Sequence, residues 1–124
     1  MGNNRSLLVN EKNKLMKKLL VLGMAAMAVA ALSARADDAK TTYANNCAKC
    51  HGADGKGDTK IGQKLGVKDF TDAKVQAEMK DDAAFKAIKE GMKGADGKTL
   101  MKPAENLSDD DIKGLVAYVR TFKK

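Results

Sequence analysis

The pattern of hydrophobic and polar positions changes character near residue 36. Before it, Leu19 to Leu32 is an unbroken apolar or small run of fourteen residues, "LLVLGMAAMAVAAL". After it, apolar residues recur at helical spacing and polar, glycine-rich stretches separate them. Asp38 to Cys47 predicts a first helix, with Tyr43 and Cys47 four residues apart on one face. Gly52 to Gly66 holds five glycines and predicts a long loop, and a long loop in a small domain usually wraps something. Thr71 to Lys80 predicts a short helix. Asp81 can cap another, with Ala84, Phe85, Ile88 and Gly91 along one side. Gly91 to Pro103 predicts a second loop. Ser108 and Asp111 form a capping-box-like start, followed by Ile112, Leu115, Val116, Val119 and Phe122 at helical spacing. No segment predicts a strand. The "GADGK" at Gly52 to Lys56 recurs at Gly94 to Lys98, but five residues around an Asp-Gly turn do not make a repeat.

The early run reads as an export signal. Lys17-Lys18 precede it and Ala34-Arg35-Ala36 supplies an A-x-A cleavage pattern. The run falls short of the roughly 20 residues a membrane span needs. The alternative is an uncleaved membrane anchor. The expected organisation is therefore residues 1–36 as an N-terminal extension and cleavable Sec-type signal, and residues 37–124 as one domain. Met16 could begin an ordinary signal by itself, leaving Met1 to Leu15 as an upstream extension.

Charge supports the division. The chain carries a formal +7, but residues 1–36 hold six Lys/Arg and only Glu11 among acids. The rest is close to neutral, which removes the main argument for a nucleic-acid partner. Aromatic residues make up 4% and tryptophan is absent, so side chains alone build a thin core. A domain this small usually needs a disulfide, a metal or a cofactor.

The chain's two cysteines and one histidine all fall between Cys47 and His51, in "CAKCH". C-x-x-C-H is the pattern of covalent c-type haem attachment. Two thiols three positions apart can reach the two vinyl groups on one porphyrin edge and become thioethers, and the adjacent imidazole can reach the iron. The haem would also supply the missing apolar bulk. Three readings compete. Zinc would need more soft ligands. A thioredoxin-like redox pair would want a βαβ context. A disulfide, usual in an exported protein, would close too small a loop to constrain the chain and leaves the histidine unexplained. "DGKGD", Asp54 to Asp58, places Lys56 where a calcium loop needs an oxygen ligand, so it reads as a solvated turn.

The segment from Asp37 to Lys124 resembles the small, monohaem class I cytochromes c of bacteria. The likeness rests on "ANNCAKCHGADGKG" and on "LSDDDIKGLVAYVRTF" near the C-terminus. It implies an all-α fold, with three to five short helices and two long loops wrapped around one covalent haem c. In the family the last helix packs across the first, and Tyr43, Leu115 and Tyr118 match the positions that meet there. Gly62-Gln63-Lys64-Leu65 stands where the family has Gly-Pro-x-Leu. That proline's carbonyl accepts a hydrogen bond from the proximal histidine, and Gln63 replaces it here. A carbonyl at 63 can still accept, without the rigid ring that holds it.

The resemblance implies Cys47 and Cys50 as the haem-binding cysteines, with His51 and Met101 as the axial iron ligands. Met101 lies fifty residues after His51, on the second loop. The family's ligand usually precedes a proline, whereas Lys102 intervenes before Pro103 here. Met92 is the second candidate, and Met79 reads as ordinary packing. A His/Met pair suits electron transfer. The expected function is a soluble periplasmic one-electron carrier, not an enzyme. Its partners would be a redox donor and acceptor, an oxidase or dehydrogenase among them, met by lysines around the haem edge. It would meet a membrane only if the signal stays uncleaved. The alternative is a haem enzyme or small-ligand sensor with a displaceable sixth ligand, for which the chain lacks a second histidine.

Overall fold

A computed structural model of the protein describes residues 4–124, with the side chains of residues 4 and 22–34 outside the description. Most of the expected export signal, including the heart of the run Leu19 to Leu32, therefore lies outside the described side chains. Among the described residues no helix is long and apolar enough to cross a membrane. The chain divides into two compact units, Met1–Arg35 and Ala36–Lys124.

The element order is α1 (Asn4–Asn46), α2 (Ala48–His51), α3 (Lys60–Leu65), α4 (Ala73–Glu78), α5 (Asp81–Glu90), β1 (Met92–Lys93), β2 (Thr99–Met101) and α6 (Asp109–Arg120). The all-helical expectation for the second unit holds, with three corrections. The first loop contains α3, because Thr59 caps it by accepting from Gly62 N at 2.9 Å. The second loop contains an antiparallel hairpin, β1 against β2, pairing Met92 with Met101 and Lys93 with Thr99 around a bulge. Exposed polar residues flank it, so no alternating pattern betrays it. Asp81 does not cap α5. Lys80 holds that place without a side-chain bond, and Asp81 pairs with Arg120 at 2.7 Å instead. The cap falls one helix earlier, where Asp72 accepts from Lys74 N and Val75 N ahead of α4.

The last helix forms as its sequence dictates. Ser108 accepts from Asp111 N, and the Asp111 carboxylate accepts from Ser108 N, closing a capping box. Hydrogen bonds donated to it by the Ser108 hydroxyl, at 2.7 Å, and by Ser108 N hold the exposed Asp111 carboxyl below the usual carboxylate range. Ile112, Leu115, Val116 and Val119 are buried along one face. Leu115 and Val119 pack with Tyr43 from the end of α1, and Cys47, Phe70, Met79, Ile88 and Leu107 surround that cluster. Tyr43, Tyr118 and Phe122 form an aromatic triangle with ring centroids 5.1–5.2 Å apart. Burial of the tyrosine and its neighbours raises the Tyr43 phenol well above its ordinary value, so it stays a donor, bonded to Gly52 O at 2.8 Å.

Gln76 joins the last helix to α4. It is 4% exposed, and its amide donates to Phe70 O at 2.7 Å and to Val119 O at 2.9 Å. Its side-chain oxygen accepts from Arg120 Nη1 at 3.1 Å, and Arg120 Nη2 reaches Met79 O at 2.6 Å. A glutamine in a six-residue helix carries no periodic signal, so this junction is invisible in the sequence. Gln76→Ala removes three hydrogen bonds in a buried place and is expected to cost about 2–3 kcal/mol, read as a lower urea midpoint with an unchanged slope.

Candidate haem site

Where α1 ends, the chain turns at Cys47 and makes the single turn α2. Cys50 N and His51 N both donate back to Cys47 O, at 3.2 and 3.0 Å. One turn thus carries both thiols and the imidazole, as the motif's spacing predicts. Contacts from the following loop hold it. Gly57 N donates to His51 O at 2.7 Å, and Thr59 Oγ1 donates to Cys50 O at 2.8 Å. Gly62 is buried on α3, where an added Cβ would strike Cys50 O and stand 2.6 Å from Gly57 O. Only a residue without a side chain lets α3 lie this close to the motif. Phe70, fixed by its N–H to Gly55 O at 2.8 Å, stacks on the His51 ring at 5.0 Å and 17°.

The two thiols are unbridged and half-buried. Burial, then the neighbouring Cys50, pushes the Cys47 thiol up to about 11. A catalytic redox cysteine needs the opposite shift, which argues against the thioredoxin-like reading. Burial also lowers the His51 imidazole below its ordinary value, so the ring is neutral, with a free lone pair, at neutral pH. Its Nδ1 is buried with no hydrogen-bond partner. The Gln63 carbonyl, expected as that partner, accepts from Gly66 N at 3.3 Å instead.

Met101 ends β2 and is half-buried, while its partner Met92 on β1 is 50% exposed. Directly paired antiparallel residues project from the same face of a hairpin. The hairpin is fastened at its base: Ala104 N donates to Ile88 O at 2.8 Å. Gly91, at φ +76°, lies so close to the returning strand that a Cβ would stand 2.5 Å from Met101 O and 2.8 Å from Pro103 N. Pro103, beyond Lys102, also lies against Gly91, its Cδ 2.9 Å from where that Cβ would stand. Met79 packs against the Tyr43 cluster, as ordinary packing predicts.

The residues fit a bound porphyrin. Helix α5 is amphipathic, yet it buries no residue completely, and Ala84, Phe85, Ile88 and Ala87 stop at partial burial. An incomplete core beside two unbridged thiols and a neutral imidazole is what an apolar, covalently held disc would complete. Thr59 and Phe70 are the supporting residues that sequence reasoning missed, and Gly62, quoted there only as part of the Gly-Pro-x-Leu position, proves to support the motif directly. The available signals were a threonine three residues before a glycine and one aromatic residue in a polar stretch.

A one-turn C-x-x-C-H between helices, with the last helix laid over the first, defines a small c-type haem domain. The family model "Cytochrome c" matches residues 36–123, and the chain belongs to that family. Solved structures agree. KustC0563, a c-type cytochrome, is 36% identical, with a TM-score of 0.61 over 68% of this chain and 96% of its own. A tyrosine-to-phenylalanine mutant of Kustc0563 gives 34% identity and a TM-score of 0.60, over 69% of this chain and 99% of its own. No curated protein matches the chain. The family binds haem c covalently through C-x-x-C-H, and Cys47 and Cys50 are present for it.

Proposed function

We propose that the chain is an exported one-electron carrier of the periplasm, working between a donor and an acceptor protein and catalysing no reaction of its own. The observation that carries this reading is the turn from Cys47 to His51, clamped by Thr59, Gly57 and Gly62, in a domain that also offers a half-buried methionine on a fastened hairpin. Cys47 and Cys50 would hold the haem by thioethers. His51 and Met101 would be its axial ligands. The haem, when bound, supplies the ferrous/ferric couple. The polypeptide's part is to stay still. The clamped turn and the Phe70 stack hold the His51 ring, and the base of the hairpin holds Met101, so little rearrangement accompanies a change of charge. Residues 1–36, with Lys17-Lys18, the apolar run and Ala34-Arg35-Ala36, would be the signal that exports the domain and is then removed.

The test is the mass and visible spectrum of the exported protein. The expected result is a chain starting near Asp37 with one haem that acid-acetone cannot extract, a low-spin spectrum in both oxidation states, and slow carbon monoxide binding when reduced. A haem-free mass would end the reading. Rapid carbon monoxide binding at neutral pH would move it to a ligand sensor or haem enzyme.

A further inference from the structure

A histidine that ligates a metal ordinarily donates its second ring N–H to a carbonyl, a carboxylate or water. His51 does not: Nδ1 is buried and has no partner. The backbone around residue 63 explains why. Gln63 N donates to Thr59 O at 2.9 Å, the bond that closes the first turn of α3. Proline could not donate there, and its ring would press on the Thr59 carbonyl. With a donor at 63 the helix starts at Lys60, and the carbonyl of 63 runs along the helix to meet Gly66 N at 3.3 Å. Other acceptors of the clamp are also engaged. His51 O takes Gly57 N, and Cys50 O takes the Thr59 hydroxyl. The ring cannot turn freely toward a new acceptor, because it is stacked on Phe70.

We propose that Gln63 is a positioning residue that tunes the iron through His51. By allowing α3 to begin early, it turns its carbonyl along the helix, toward the Gly66 N that Gly62 O shares, and leaves the ligand imidazole without an acceptor. A hydrogen bond at Nδ1 makes an imidazole more basic and favours ferric iron. Without it, His51 is the weaker donor and the reduction potential is higher than in the same protein with an acceptor supplied. The effect belongs to the backbone of residue 63. Its side-chain amide makes only a long, exposed contact to Asp58 O at 3.4 Å. This inference rests on the haem reading above, and covalent haem in the wild-type protein is its precondition.

The experiment compares the wild-type holoprotein with Gln63→Ala and Gln63→Pro by proton NMR of the ferrous state and by redox titration. The wild-type His51 ring proton is expected to lack the shift of a hydrogen-bonded N–H and to exchange faster than in Gln63→Pro. Gln63→Ala keeps the donor and the helix, so it should match wild type in both readouts. Gln63→Pro removes the 2.9 Å bond, releases the carbonyl, slows ring-proton exchange about tenfold, the effect of one net hydrogen bond, and lowers the potential. A protected, hydrogen-bonded ring proton in wild type would overturn the proposal, and that measurement decides it even if Gln63→Pro does not fold. A folded Gln63→Pro with unchanged exchange and potential would overturn it too, as would Gln63→Ala shifting the potential as far. Absence of covalent haem from every protein, wild type included, would instead mark failure of the haem reading.

Discussion

Met101→Ala should keep its haem and lose its potential. On the function proposed above, attachment would depend on Cys47, Cys50 and His51, which lie on a separate turn and are untouched. A thioether ligand favours ferrous iron, so its removal is expected to lower the reduction potential by on the order of 0.1 V, a fraction of the roughly 0.8 V that axial ligands span. The weak far-red band from sulfur bound to ferric iron should vanish, and carbon monoxide should bind the reduced protein quickly. Met92→Ala should leave all three properties alone. The two methionines are cross-strand partners and share a face of the hairpin, but Met101 is the half-buried one. The reverse pattern, with the band lost only in Met92→Ala, would make Met92 the ligand.

The second large effect is expected at Gly62. Gly62→Ala drives a methyl group into the Cys50 carbonyl and to within 2.6 Å of Gly57 O, both of them backbone that cannot swing aside. Destabilisation of about 3 kcal/mol is expected, the upper end of overpacking costs, with a lower yield of haem-loaded protein. Gly114→Ala is the internal comparison. Its Cβ would meet only Ala39 Cβ, at 3.7 Å, inside α6. It should gain about 0.5–1 kcal/mol from helix propensity alone. Urea unfolding of both variants measures the contrast. Equal midpoints would show that α3 yields to the methyl group.

The parts of this protein that announce themselves are those whose chemistry is local. Ser108 and Asp111 stand three apart because a capping box needs that spacing, and the buried face of α6 repeats at the helical period. Tyr43 precedes Cys47 by one turn and meets Leu115 and Tyr118 where the resemblance places them. The C-x-x-C-H spacing is set by a porphyrin edge, so it is legible without any fold. What stays hidden depends on distant backbone. Asp81 looks like a cap until Arg120, from the far end of the domain, claims its carboxylate. Residue 63 looks able to serve His51 until α3 takes its carbonyl. The hairpin escapes notice because its strands, two and three residues long, are mostly exposed and bury no alternating face.

The packing of Tyr43 on Leu115 and Val119 carries a consequence for how the domain assembles. It ties the first helix to the last across a loop of about 70 residues, and the entropy of closing a loop rises with its length. The turn from Cys47 to His51 needs no such closure, since its hydrogen bonds span only three or four residues. Its remaining clamps, from Gly57 and Thr59, are also local, six and nine residues away along the chain. The two features thus differ in contact order, and docking of the final helix is expected to be the slower step of assembly.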